Sequence, residues 1–385
     1  MITTAIVLTA ALAGAAVIGN HVAGRHHPRG PVRRVSEPGR APRSPLPSAL
    51  VAWFDGDGTL RIGNVASLAQ RPLAQVANPP CCTLVTAGHR IYWAGLFKGR
   101  DYIQAYDLAT GRIIRHVAEG SAVVASGDGR TLYITRSDNH LVALPADGRG
   151  PVRRLVMPPG WQVIGPPLAA GDGIVLTTAA RRPAIGVWRP GDGNIRVIGH
   201  GYVMAAWSSS TGRRGLIAWV SARCSKPPCP VKITDTSTGR TKSVHGPPNY
   251  GFIGEGGDTA FSVGGGMLAA FVNKLKPVPT AGFKVALVNT TTGAVHLVRG
   301  TKLAGAEMSG WLVWLTGSGY LLAGPANTGP TDSSQYAGYA IDARTATARP
   351  FTFFPAATYK YPDSPVYDIT FGAVLLPRSA APPRR

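Results

Sequence analysis

Acid and cysteine are what this sequence has least of. Its 385 residues hold 19 Asp and Glu against 40 Lys and Arg, and only 4 Cys. Paired-carboxylate catalysis needs two such groups side by side, and most of the Asp residues stand where turns consume them: Asp55, Asp57, Asp107, Asp128, Asp147, Asp172, Asp192, Asp235 and Asp342. Glu119, Glu255, Asp258, Glu307 and Asp368 precede or fall within strand-like runs. They are the candidates for a channel-facing role, with hydrogen bonding at strand ends as the plainer expectation.

Other absences narrow the chemistry further. The His residues are scattered, the adjacent pair His26-His27 lies in a Pro-rich stretch, and no H-E-x-x-H set occurs. "DGDG" at 55–58 has the first two oxygens of a calcium loop without the remaining ligands or the closing Glu, so it reads as a hairpin turn. There is no P-loop, no G-x-G-x-x-G opening a helix and no G-x-S-x-G elbow, and "SVGGGMLAAF" at 262–271 reads as a hairpin. No catalytic residue, metal ligand or cofactor is assigned. The net charge of +21 is spread thinly, one or two Arg beside each turn. It reads as codon usage rather than nucleic-acid binding.

What is present is apolar residue and turn residue: 44% hydrophobic, with 48 Gly and 33 Pro, the profile of many short strands in an all-β protein. The phrase "YDLATGRIIRHV" at 106–117 is one strand, an Asp-x-x-Thr-Gly turn and a second strand, and it recurs in varied spellings. The copies occupy 59–76, 102–117, 140–156, 184–199, 231–245, 283–298 and 336–353, and their turn-opening residues are 39 to 54 residues apart. A period in the forties is that of a four-stranded propeller blade. In each turn the Asp or Asn accepts amide hydrogen bonds and Gly takes a positive φ, which makes the phrase the outer hairpin of a blade. A second pair of apolar runs precedes each copy, clearest at 121–137, 168–179 and 308–318. The first blade lacks its innermost strand, and "VYDITFGAVLLP" at 366–377 is placed to supply it.

Asp107-Leu-Ala-Thr110-Gly111-Arg112 and Asp235-Thr-Ser-Thr238-Gly239-Arg240 carry the full D-x-x-T-G-[KR] pattern, and Asn289-Thr-Thr-Thr292-Gly293 carries part of it. On these residues the chain resembles seven-bladed propellers of the YVTN/YncE-like, TolB-like repeat group over about residues 49–377, without the α/β domain that precedes the propeller in TolB. The resemblance implies architecture and carries no function.

The expected organisation is an apolar helix at 1–23, a Pro/Arg-rich disordered tether at 24–47, a seven-bladed β-propeller at 48–377 and a disordered tail at 378–385. Residues 2–23 are long and apolar enough for a membrane anchor, while Ala13-Gly14-Ala15 also suits a cleaved signal peptide. Arg25, Arg29, Arg33 and Arg34 follow this segment, which by the positive-inside rule favours a cytoplasmic propeller instead. Cys224 and Cys229 flank a Pro-Pro bend that can bring them within disulfide reach, with two unpaired loop thiols as the alternative, and such bonds persist outside the cytoplasm. Cys81-Cys82 is open between a vicinal disulfide, two thiols and pairing with distant partners.

The functional expectation is an extracytoplasmic, monomeric propeller, tethered to the membrane or secreted, that binds a protein partner of the cell envelope. Its longest insertions, 223–230, 273–283 and 324–336, are the expected contacts. Two alternatives stand beside it: an enzyme with a lactonase-like or quinoprotein-like channel site, and a binder of anionic wall polymer or lipid through the basic tether.

Overall fold

The computed structural model describes residues 46–54, 58–76, 84–136, 138, 140–163, 167–224, 228–252, 259–275, 283–301, 310–315, 319–325, 338–351 and 371–376. The expected N-terminal helix, nearly all of the tether and the C-terminal tail lie outside them. Leu46 already packs against the core beside Val51 and Trp53, so packing begins ahead of the boundary expected at residue 48.

Every described regular element is a strand, and every strand pair is antiparallel. The strands group into four-stranded arrays, each written here from inner to outer edge. The first runs Phe371–Leu375, Leu50–Phe54, Thr59–Asn64, Gln70–Gln75, so the C-terminal run does supply the inner strand, with Val51 opposite Leu375. The second is Val85–Ala87, Arg90–Phe97, Arg100–Asp107, Arg112–Glu119, and the third Ala122–Ala125, Thr131–Thr135, Leu141–Pro145, Arg153–Leu155.

The fourth array has a broken inner strand, Trp161–Gln162 and Ala169–Ala170, then Gly173–Thr178, Ala184–Trp188 and the first half of Ile195–Ser208. The second half of Ile195–Ser208 is the inner strand of the fifth, followed by Gly215–Ser221, Val231–Asp235 and Thr241–Val244. The sixth is Tyr250–Phe252 with Thr259–Phe261, then Met267–Lys274, Phe283–Asn289, Val295–Leu297; the last is Gly310–Trp314, Tyr320–Pro325, Gly338–Asp342, Thr347–Phe351.

The strands read as continuous apolar runs because each array is covered on both faces. Successive side chains point to opposite faces, and here the two faces meet different neighbours. Leu141 and Ala143 join Ile174 and Trp188 of the fourth array, whereas Val142 and Leu144 join Ile103 and Leu132 toward the second. Val51 and Trp53 pack on Leu322 and Phe351 of the last array, while Ala52 and Phe54 pack on Ile91 and Trp93 of the second. The remaining interfaces follow the same order: Ile185 with Ile217 and Trp219, Ile233 with Leu268 and Val288, Phe271 and Leu287 with Leu321 and Ile341. Cores between consecutive arrays therefore return to the first one. Four-stranded antiparallel sheets packed face to face in a closed cycle are the β-propeller fold.

One connection departs from the expected loop. The fourth array's outer strand passes into the fifth array's inner strand at His200–Gly201 without an intervening loop: His200 pairs with Ala184, and Gly201 with Ser221. The chain turns there because Gly201 has no side chain. A Cβ on it would lie 1.9 Å from the Val220 carbonyl oxygen.

Candidate functional site

The topology gives the propeller two chemically different ends. At one, the turn end, lie the short turns joining first to second and third to fourth strands. At the other, the loop end, lie the connections between second and third strands and those leading to the next array.

At the turn end most of the carboxylates are already in use. Asp107 Oδ1 accepts the amides of Ala109 and Thr110 at 3.1 and 3.0 Å, Gly111 N–H donates to the Asp107 carbonyl at 2.8 Å, and Gly111 holds φ 68°. Asp235 repeats this with Ser237, Thr238 and Gly239, and Asn289 with Thr291, Thr292 and Gly293. The turn phrase is thus the third-to-fourth-strand turn it was expected to be. Arginines complete the carboxylates' shells: Arg90 to Asp107 at 3.1 Å, Arg214 to Asp235 at 3.0 Å, Arg189 to Asp172 at 2.8 Å, and Arg344 to both oxygens of Asp342.

Basic side chains also tie three of these turns to the preceding array. Arg90 donates to the Asp147 carbonyl at 2.5 Å, Arg196 to the Thr236 carbonyl and Lys242 to the Thr291 carbonyl. In sequence the Arg and Lys beside turns read as compositional. Several of them hold neighbouring arrays together.

These bonds set a pH dependence. Burial works against ionisation of Asp107 and Asp235, but the Thr110 amide and Arg90, and the Ser237 hydroxyl, Thr238 amide and Arg214, outweigh it and hold both below the ordinary carboxylate value. The Ser126 hydroxyl does the same for Asp128, and Arg344 for Asp342. A depressed folded-state pKa contributes stability that is complete above the unfolded value and is lost as pH falls through the folded one. The melting temperature should therefore stay level from about pH 8 to 5 and fall below about pH 4, as thermal unfolding across that range will read.

Two further features of the turn end escaped the sequence. The inner turns of the third and fifth arrays touch, so that a Cβ on Gly127 would lie 2.4 Å from Ser208 Cβ and 2.6 Å from the Ser209 carbonyl oxygen. A cleft of about 370 Å³ also opens between the last two arrays, lined by Val263, Met267, Trp314, Leu315, Ala343 and Arg344. Its cation is committed, since Arg344 is bound to Asp342 and lies 5.7 Å from the Tyr320 ring centre. Both features arise between arrays, where no local sequence pattern reports.

The loop end holds the candidate contacts. Residues 223–230, 273–283 and 324–336 prove to be the same connection, second to third strand, in three successive arrays. Cys224 and Cys229 are joined, their Cα atoms 5.8 Å apart, closing the first of these connections onto itself. Glu119 ends the outer strand of the second array, just before the inner strand of the third, and binds Arg136 at 2.8 Å across that junction. It faces a neighbouring array, not a channel. Cys81, Cys82, Glu255, Asp258, Glu307 and Asp368 lie outside the described residues. Among those described, no three His, Cys, Asp or Glu gather as a metal site would require, and no helix is long and apolar enough to cross a membrane.

No protein-family model and no curated protein matches this chain. Solved structures resemble it in fold. An oligogalacturonate lyase in complex with manganese superposes at TM-score 0.54 with 10% identity, over 87% of this chain and 98% of that one. A puromycin-hydrolyzing peptidase of Mycobacterium tuberculosis does so at TM-score 0.53 and 12% identity, over 80% of this chain and 52% of its own length. TolB of Acinetobacter baumannii is a more distant likeness, at TM-score 0.46 and 11% identity, over 85% of this chain and 66% of TolB. At such identities the likeness is one of fold, and the activities named belong to those proteins.

Proposed function

We propose that this chain is a seven-bladed β-propeller of the YVTN/YncE-like, TolB-like repeat group, exported and held at the membrane through residues 2–23, that binds a protein partner of the cell envelope through its loop end. The cycle of inter-array cores supports the blade number. The Cys224–Cys229 bond supports export, because such bonds persist in oxidising compartments.

One observation carries the binding role: three consecutive arrays enlarge the same connection at the same end, and the first is braced by a disulfide. Strand-to-strand connections need only a few residues for closure, and a covalently closed loop loses less entropy on meeting a partner. Loops presented on a rigid scaffold are where binding residues concentrate.

The test is recovery of the chain from its native membrane fraction with whatever protein accompanies it. Replacing 276–282 and 326–337 by short Gly-Ser links should lower recovery of that partner at least tenfold. The double substitution Cys224→Ser/Cys229→Ser should weaken it severalfold while destabilising the chain by about 2 kcal/mol, the loop-closure term for so short a ring. Unchanged recovery with all these replacements would refute the reading.

A further inference from the structure

We infer that the loop end of the fourth, fifth and sixth arrays docks an acidic protein segment, with Tyr202 as its aromatic anchor; this rests on the reading that the loop end binds a protein. Arg181 and Arg182 lie in the fourth array's connection between second and third strands. Arg223 and Lys232 flank the same connection in the fifth, and Lys274 and Lys284 in the sixth. None of these six cations forms an ion pair. The described carboxylates of these three arrays, Asp172, Asp192 and Asp235, all stand in turns at the opposite end.

The imbalance is local. On the loop end of the second and third arrays, Lys98, Arg100 and Arg136 are accompanied by Asp101, Glu119 and Asp138, and Glu119 is bound to Arg136. At the turn end, Arg90, Arg189, Arg214 and Arg344 each hold an Asp. Codon usage spreads cations over a surface, but it does not by itself confine the described carboxylates of three adjacent arrays to the opposite end. Like charges left unpaired repel one another, and an anionic partner relieves that repulsion on binding.

The patch is also pre-positioned. Lys232 Nζ lies 4.8 Å from the Trp219 ring centre and Lys284 Nζ 5.7 Å from that of Tyr250, so attraction to the ring faces holds both ammonium groups near the surface. Tyr202, just past the Gly201 corner on the inner strand of the fifth array, is 54% exposed. Buried Tyr and Arg anchors dominate protein–protein contacts. An anionic membrane would instead call for several apolar side chains among the cations, and among the described residues of this patch Tyr202 is the one large apolar side chain that is exposed.

The test uses the whole chain and a fluorescent twenty-residue peptide of alternating Glu, Asp and Leu. The wild-type chain should bind it with an affinity that falls about tenfold between 50 and 200 mM salt. Arg181→Glu/Arg182→Glu and Lys274→Glu/Lys284→Glu should each weaken binding at least tenfold, and Tyr202→Ser should weaken it at either salt concentration. Arg213→Glu, at the turn end, should stay within twofold. Peptide binding that ignores these reversals overturns the inference. So does binding to phosphatidylglycerol vesicles that the reversals abolish and Tyr202→Ser leaves alone, since the patch would then serve a lipid headgroup. The Gly-Ser replacements keep all six cations. If they release the native partner while the charge reversals retain it, the loop-end reading stands and the acidic-partner inference falls.

Discussion

Deleting the chain from residue 371 onward will strongly destabilise the fold. Phe371–Leu375 is the inner strand of the first array, and it comes from the opposite end of the sequence to its partner Leu50–Phe54. Its removal exposes an edge whose Val51, Ala52, Trp53 and Phe54 are otherwise fully buried. It also takes away Leu376, which packs with Ala52, Phe54 and Trp93 between the first and second arrays. Each lost leucine is worth about 1.5–3 kcal/mol of burial, and the opened edge offers unpaired amides and carbonyls to other chains. A loss of at least about 4 kcal/mol is expected, with a melting temperature lower by about 6 °C or more and aggregation on size exclusion. A truncated chain that melts like the intact one would show that the cycle of arrays does not depend on this strand.

Gly201→Ala should be nearly as damaging, although it adds one methyl group. That methyl would lie 1.9 Å from the Val220 carbonyl oxygen and 3.1 Å from Ser221 Cα, both of them backbone that cannot rotate away. The corner would have to open, separating the Gly201–Ser221 pairing and loosening the Ile217 and Trp219 core beside it. Overpacking of a rigid site costs about 1–3 kcal/mol and sometimes more, so the upper part of that range is expected, about 3 kcal/mol. Gly191→Ala is the control. It has open space around it, so the expected cost is the backbone term alone, about 1–2 kcal/mol for its positive φ of 103°. Denaturant unfolding of the two variants beside the parent protein measures the difference.

These predictions also mark what the sequence made legible. The turn phrase was readable because its chemistry is local: Asp107, Thr110 and Gly111 satisfy one another within five residues, and the same spelling at Asp235 and Asn289 gives the same turn. The inner closing strand was readable for a different reason. An apolar run at 366–377 had no partner nearby, and the first array lacked a strand. The His200–Gly201 corner was not readable. A loop is the default between arrays, and only the approach of Val220, from a different strand, makes Gly201 necessary.

The candidate site divides along the same line. The three insertions could be located from the spacing of the repeats, but their gathering at one end required the strand order. The role of Arg90, Arg196 and Lys242 depends on carbonyls 57, 40 and 49 residues further along, beyond any local motif. Strand-end bonding of Glu119 was readable, but its partner Arg136, from the second-to-third connection of the next array, was not. The uncompensated cations of the loop end were invisible for a related reason. Evenly spaced Arg and Lys in sequence separate into two ends only when strands alternate direction.

On the proposed reading, the loop end is where this protein meets its partner. Photo-crosslinking from the two ends tests it most directly, with p-benzoylphenylalanine placed at position 223 or at position 213 of the whole chain in intact cells. Arg223 and Arg213 are both exposed and belong to the same array, one at each end of Gly215–Ser221. One discrete protein adduct is expected from position 223 and none from position 213. An adduct from position 213 with none from 223 would place the partner on the turn end and contradict that reading.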